Sequence, residues 1–165
     1  MPANSTRPHN TRLADFMPYR LSVTTNIVSD LIAGRYRSRF GLKIPEWRVL
    51  AVLGDAGALT QRALVGATRM DNGAVNRACK VLEERGLATR SPNAHDGRSH
   101  HLELTPAGRE MFDRIMPMAL DMEARLFACL GAREAESLKA TLGKLDRQAT
   151  AMLQENPTAM LGETE

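Results

Sequence analysis

The chain has 165 residues, 43% of them apolar and 25% charged, which suits one globular domain with its own core and argues against a disordered or membrane-embedded chain. Aromatics make up only 4% while methionines number nine, so aliphatic helices are expected rather than an aromatic-rich β-sandwich. A net charge of +3 and a pI near 9.2 permit a polyanionic partner without requiring one.

Cys79 and Cys129 stand far apart with no CxxC pair, so a disulfide framework is not indicated and both read as thiols of a reducing compartment. Charges break every apolar run, and the N-terminus lacks the apolar core of a signal peptide. The expectation is a cytoplasmic protein with no membrane segment.

Residues 1–12 are rich in Pro, Asn, Thr and Arg without periodicity, which predicts a flexible arm. From Leu13 to Phe40 the pattern is helical, with Leu21, Val28, Leu31, Ile32 and Tyr36 on one apolar stripe and Gly41 as the stop. A second helix is predicted over Ile44–Leu53, with Pro45 in its first turn and Gly54 and Gly57 ending it. Trp47, the single Trp, serves either as a core anchor or as the wall of a ligand pocket.

Thr60 caps a short helix from Gln61 to about Thr68. After a turn, Asp71 caps another that runs to about Arg85, with Val75, Ala78, Cys79 and Leu82 facing inward and Gly86 as its stop. Leu87–Arg90 and His100–Leu104 read as short strands joined by a turn-forming run, Ser91 to Arg98. Thr105 and Pro106 open a long helix containing Pro117. The last helix, about Arg133–Leu153, carries Leu138, Leu142, Leu145, Ala149 and Met152 near period 3.5, and residues 155–165 read as a tail.

This order gives a mainly α fold with a β-hairpin wing: a winged helix-turn-helix over 41–108. Dimerisation helices flank it at 13–40 and 109–154. The terminal helices have apolar faces that a lone copy leaves wet, and a two-fold homodimer covers them.

A recognition helix enters the major groove with its N-terminal residues against base edges. Asn72, Gly73, Asn76 and Arg77 hold those positions; Asn pairs with adenine and Arg with guanine. Gly73 either admits a close phosphate or is a neutral surface residue. Arg62, Arg69 and Lys80 are expected on phosphates, setting register without reading sequence. Arg98, at the hairpin tip, is expected in a narrow minor groove. His95, His100 and His101 with Cys79 do not suit a metal, because adjacent strand residues point to opposite faces. Neither a Ser-His-Asp order, a phosphate-binding glycine loop nor an HExxH motif is present, so neither an enzyme nor a cofactor is expected.

The chain resembles the MarR family of bacterial transcription regulators. The resemblance is carried by Glu46-Trp47-Arg48-Val49-Leu50, Leu59-Thr60-Gln61, Val75-Asn76-Arg77, Leu82-Glu83-Glu84-Arg85-Gly86-Leu87, Arg90, Asp96-Gly97-Arg98 and Leu104-Thr105-Pro106-Ala107-Gly108. It covers about residues 18 to 153. It departs at Gly73-Ala74, where family members commonly carry hydroxyl or charged residues, and at Ala63–Ala67, which lacks the usual acidic residue. The resemblance implies a transcription regulator, usually a repressor, and the two-fold homodimer expected above predicts a palindromic double-stranded operator. It implies that Asp96 pairs with Arg98 and aims it. It also implies release by a small, often aromatic or anionic effector, for which Tyr19, Arg20, Tyr36, Trp47 and Arg48 are the candidates by position. Relatives that sense oxidants use a cysteine near the first helix, and this chain has none there. A winged helix that binds only protein remains the alternative.

Overall fold

The computed structural model describes residues 12–93 and 96–155, and side chains outside 93–99. A 3-10 turn, Leu13–Asp15, precedes α1 (Met17–Phe40), α2 (Ile44–Ala56), β1 (Leu59–Thr60), α3 (Gln61–Thr68), α4 (Asn72–Glu84), β2 (Ala88–Asn93), β3 (Asp96–Leu104), α5 (Pro106–Phe127) and α6 (Ala132–Glu155). The chain forms two compact units, Met1–Ala119 and Leu120–Glu165.

In the first unit the core gathers Leu42, Val49, Leu50, Leu53, Leu64, Val75, Leu82 and Ile115, drawn from the helices and the loop after α1. Burying one Leu or Val side chain contributes about 1.5–3 kcal/mol, and these residues hold the helix-turn-helix against α2 and α5. Local signals set the helix starts. In α2 the Lys43 N–H donates to Glu46 Oε2 at 2.8 Å, which explains a buried carboxylate. Thr60 and Asp71 accept from Ala63 N (3.2 Å) and Ala74 N (2.7 Å), as N-caps do.

The sheet has three strands in the order β1-β3-β2, all antiparallel, with Leu59 opposite Leu102 and Ala88 opposite Leu104. The sequence reading missed β1, since two residues carry no alternation to detect. It also read Ser91–Arg98 as a turn. The strands instead run on to Asn93 and from Asp96, with a register shift between Pro92 and Asn93 that accommodates the proline.

Two further expectations are corrected. Gly54 lies inside α2 rather than ending it, and the Phe112 ring occupies the place where a Cβ would sit. Gly57, with φ 82°, ends that helix. α1 has two apolar faces, not one stripe. Ala33, Tyr36 and Phe40 are buried, whereas Leu21 and Leu31 are exposed. Tyr19, Val23, Ile27 and Leu31 form a second row, in which Ile27 is 64% exposed. Ile27 and Tyr36 are nine residues apart and so point to opposite sides at about 100° per residue.

In the second unit α6 has no buried residue, and Leu138, Leu142, Leu145 and Met152 are exposed. A cleft of about 540 Å³ between the end of α5 and the start of α6 is lined by Leu120, Ala124, Phe127, Leu138 and Leu142. Among the described residues no helix is long and apolar enough to cross a membrane.

The join between wing and α5 is tight. The Thr105 hydroxyl donates to the Gly86 carbonyl (2.6 Å) and accepts from Gly108 N (3.1 Å), while Thr105 N donates to the Leu87 carbonyl (3.1 Å). Gly108 lies so close to the Leu87 carbonyl oxygen that a Cβ would overlap it. Gly108→Ala is therefore expected to destabilise the fold by about 1–3 kcal/mol, although alanine is the better helix former by about 1 kcal/mol. Urea unfolding checks this, and an unchanged midpoint would show that the contact relaxes freely.

Candidate nucleic-acid interface

Burial decides which side of α4 is free. Val75, Ala78, Cys79 and Leu82 are in the core, and Asn72, Gly73, Asn76, Arg77 and Lys80 are exposed. At about 100° per residue those five positions cover an arc of roughly 140°. They fall in two rows, Asn72–Asn76–Lys80 and Gly73–Arg77. Side chains tilt toward the N-terminus of a helix, so both rows lean toward its first turn.

Charge is graded along the same face. Near its C-terminal end Lys80 pairs with Glu84 at 3.7 Å, and Glu83 pairs with Arg90 of β2 at 2.9 Å. Toward the N-terminal end Arg77, and Arg62 on α3, form no ion pair with another described residue. The positive end of the helix dipole lies there as well. Asp71 offsets part of this field while capping the helix. The tip of α4 is therefore the end suited to a polyanion.

The sequence reading used Gln61 as a helix start and a motif residue but did not place it in the site. Its Nε2 donates to Asn72 Oδ1 at 2.9 Å, joining the first residues of α3 and α4. Gln61, Arg62, Val65 and Asn72 line a shallow depression of about 360 Å³. A glutamine opening a helix has no distinguishing signal in sequence, since only the packing of α3 on α4 brings it to Asn72. Arg69 ends α3 with φ 54°, a left-handed conformation that is rare outside Gly and Asn. Its N–H bonds the Val65 carbonyl at 3.0 Å and makes the turn between the two helices.

Two arginines of the quoted motifs have structural partners. Arg85 donates to the carbonyls of Phe40 (2.8 Å) and Gly41 (3.1 Å), closing the C-terminus of α1. Arg90 ties the wing to α4 through Glu83. Asp96 and Arg98 lie on β3, and their side chains, with the expected pairing, fall outside the described ones.

A short helix, a tight turn, a second helix with an outward polar face and an antiparallel hairpin make a winged helix-turn-helix. A family model described as the MarR family matches residues 40–99. The HTH-type transcriptional repressor Rv2887 of Mycobacterium tuberculosis is 30% identical over 108 residues, which are 66% of this chain and 78% of that protein. The chain belongs to the MarR family. Among solved structures, a probable transcriptional regulator from Pseudomonas aeruginosa superposes with a TM-score of 0.72 at 30% identity, over 81% of this chain and 99% of that one. A cysteine-to-serine mutant of MarR from E. coli, complexed with operator DNA, gives 0.71 at 25% identity, over 81% and 96%. As a member of this family the protein is a transcriptional regulator.

The five effector candidates are not together in one copy of this MarR-family fold. Trp47 lies tilted against Tyr36 (ring centroids 5.4 Å) and stacked on Phe112 (6.4 Å), an aromatic layer between α1, α2 and α5. Burial pushes the Tyr36 hydroxyl pKa up, opposed by Arg48 and Arg37. Tyr19 and Arg20 are near the other end of α1, roughly 24 Å away at 1.5 Å per residue.

Cys79 is buried and Cys129 exposed. Desolvation raises the Cys79 thiol pKa, with Arg90 acting in the opposite direction. Its thiolate fraction at neutral pH is thus below that of an ordinary cysteine. In the folded protein Cys79 is expected to resist an aromatic disulfide reagent and to react once guanidinium unfolds the chain. Mass mapping of the labelled thiols reads this out, and rapid native labelling at Cys79 would contradict it.

Proposed function

We propose that this protein binds duplex DNA as a homodimer on an inverted repeat, represses transcription there, and leaves when a small effector binds. The observation that carries the DNA reading is the outward Arg77 and Arg62, without an ion pair among the described residues, at the electropositive tip of α4 beside Asn72 and Asn76. In this reading Arg77, Asn72 and Asn76 face base edges. Arg62, Arg69 and Lys80 hold phosphates, Lys80 giving up an exposed pair worth about 0.2–1 kcal/mol. Asp96 aims Arg98 into the minor groove.

The dimer reading rests on two unpartnered apolar rows: Tyr19, Val23, Ile27 and Leu31 on α1, and Leu138, Leu142, Leu145 and Met152 on α6. A second copy supplies the apolar surface that covers them. The effector is a small aromatic or anionic molecule. Tyr19 and Arg20 share a pocket with Tyr36, Trp47 and Arg48 only where a second copy contributes part of the wall. The effector acts by binding one spacing of the two reading heads better than the other.

Ile27→Glu and Leu142→Glu are each expected to convert a dimer to monomers in sedimentation equilibrium at micromolar concentration. A wild type that sediments as a single chain would rule out the dimer.

Selection from a random duplex pool is expected to return an inverted repeat with half-site centres about one helical turn apart. With Arg62, Arg69 and Lys80 of two protomers on phosphates, log Kd against log salt should have a slope of magnitude about 5. Arg98→Ala should lower affinity about tenfold. Salt-independent binding, or no duplex selected, favours the wing as a protein-binding surface instead.

A further inference from the structure

We infer that Gly73 is a specificity-determining position, acting by leaving room for the Arg77 guanidinium to lie over the first turn of α4. The inference rests on the DNA-binding reading above and adds a residue-level reason for which base is read.

Residues 73 and 77 are one helical turn apart on the exposed face, and a long side chain at 77 tilts back toward 73. A Cβ built on Gly73 would stand 3.2 Å from Arg77 Nη1, 3.9 Å from its Cζ and 3.1 Å from Asp71 Oδ1. The space over Gly73 is therefore already occupied by the guanidinium. Asp71 Oδ1 is engaged in capping Ala74 N, so it cannot retreat without loosening the start of the helix.

The other helical glycine on the helix-turn-helix, Gly66, has nothing within 4 Å of its Cβ position, so crowding is particular to Gly73. Gly73 has a negative φ and needs no glycine for its backbone. In a helix glycine costs about 1 kcal/mol relative to alanine. Neither backbone conformation nor helix propensity accounts for a glycine at the second residue of α4. Room for Arg77 does.

The guanidinium is a forked donor with no acceptor, and it matches O6 and N7 of guanine. Held over the first turn, it projects from the tip of the helix, where the groove floor is reached. A side chain at 73 shifts it outward along the flank, toward the phosphates. Gly73 thus favours guanine at one base pair of each half-site, where a bulkier residue would convert Arg77 into a contact that reads no sequence.

The test uses the full-length protein and the duplex it selects from a random pool. Wild type, Gly73→Ala, Gly73→Val, Arg77→Ala and the double variant Gly73→Val with Arg77→Ala are titrated by fluorescence anisotropy. The probes are the selected duplex and its single-base variants. Arg77→Ala should erase a guanine preference at one base pair. Gly73→Val should lose about tenfold of that same preference, with Gly73→Ala intermediate, and in the Arg77→Ala background it should lose nothing more. At 73 an added side chain gains helix propensity but crowds the Asp71 cap, so Tm should change little in Gly73→Ala. Undiminished preference in Gly73→Val overturns the inference. So does a loss spread evenly over all base pairs, one that persists without Arg77, or an Arg77→Ala variant with unaltered preference. In each of these cases duplex-DNA binding itself stands, and unaltered preference in Arg77→Ala removes only Arg77 from the base-reading set. A wild type that selects no duplex overturns both.

Discussion

The burial of one side of α4 governs what the rest of this structure can do. Val75, Ala78, Cys79 and Leu82 enter the core with Leu64 of α3 and Leu50 and Leu53 of α2. That contact fixes the rotation of α4 about its own axis. Once it is fixed, Asn72, Asn76, Arg77 and Lys80 have no direction but outward. Rotating the helix by one residue, about 100°, would expose part of the apolar row and bury an arginine, a far larger cost than any surface contact returns.

The neighbouring elements brace the helix-turn-helix that this constraint orients. Asp71 and Thr60 cap α4 and α3, and the Gln61–Asn72 bond ties their starting residues together. At the other end of α4, Thr105 bridges Gly86 and Gly108, and Glu83 holds Arg90 of the wing. The wing is therefore anchored to the same helix that carries the candidate base-reading residues, and the two cannot reorient independently at their junction. Charge follows the same logic: the acids of α4 are placed where cations of the fold neutralise them, and Arg77 at the tip has no ion pair among the described residues.

The terminal helices show a different kind of incompleteness. α1 satisfies the core with Ala33, Tyr36 and Phe40 and still carries an apolar row on its opposite side. α6 buries nothing at all among the described residues. A helix that is amphipathic in sequence but exposed in an isolated chain calls for a partner surface, and the proposed homodimer supplies one.

Much of this was legible in the amino-acid sequence, for local reasons. Helix starts at Gln61 and near Asn72, the stop near Gly86, the inward set on α4 and the cap at Thr105 all follow from side chains that act within four residues. Tertiary structure decided what depends on distant neighbours. It seated Phe112 against Gly54 inside α2, formed β1 because β3 lies alongside, and split the apolar pattern of α1 between two faces. It brought Gln61 to Asn72, gave Arg85 to the end of α1, and set Arg77 over Gly73. Capping and periodicity are short-range and are written in order along the chain, whereas which side chain meets which across the core depends on packing that sequence order does not record.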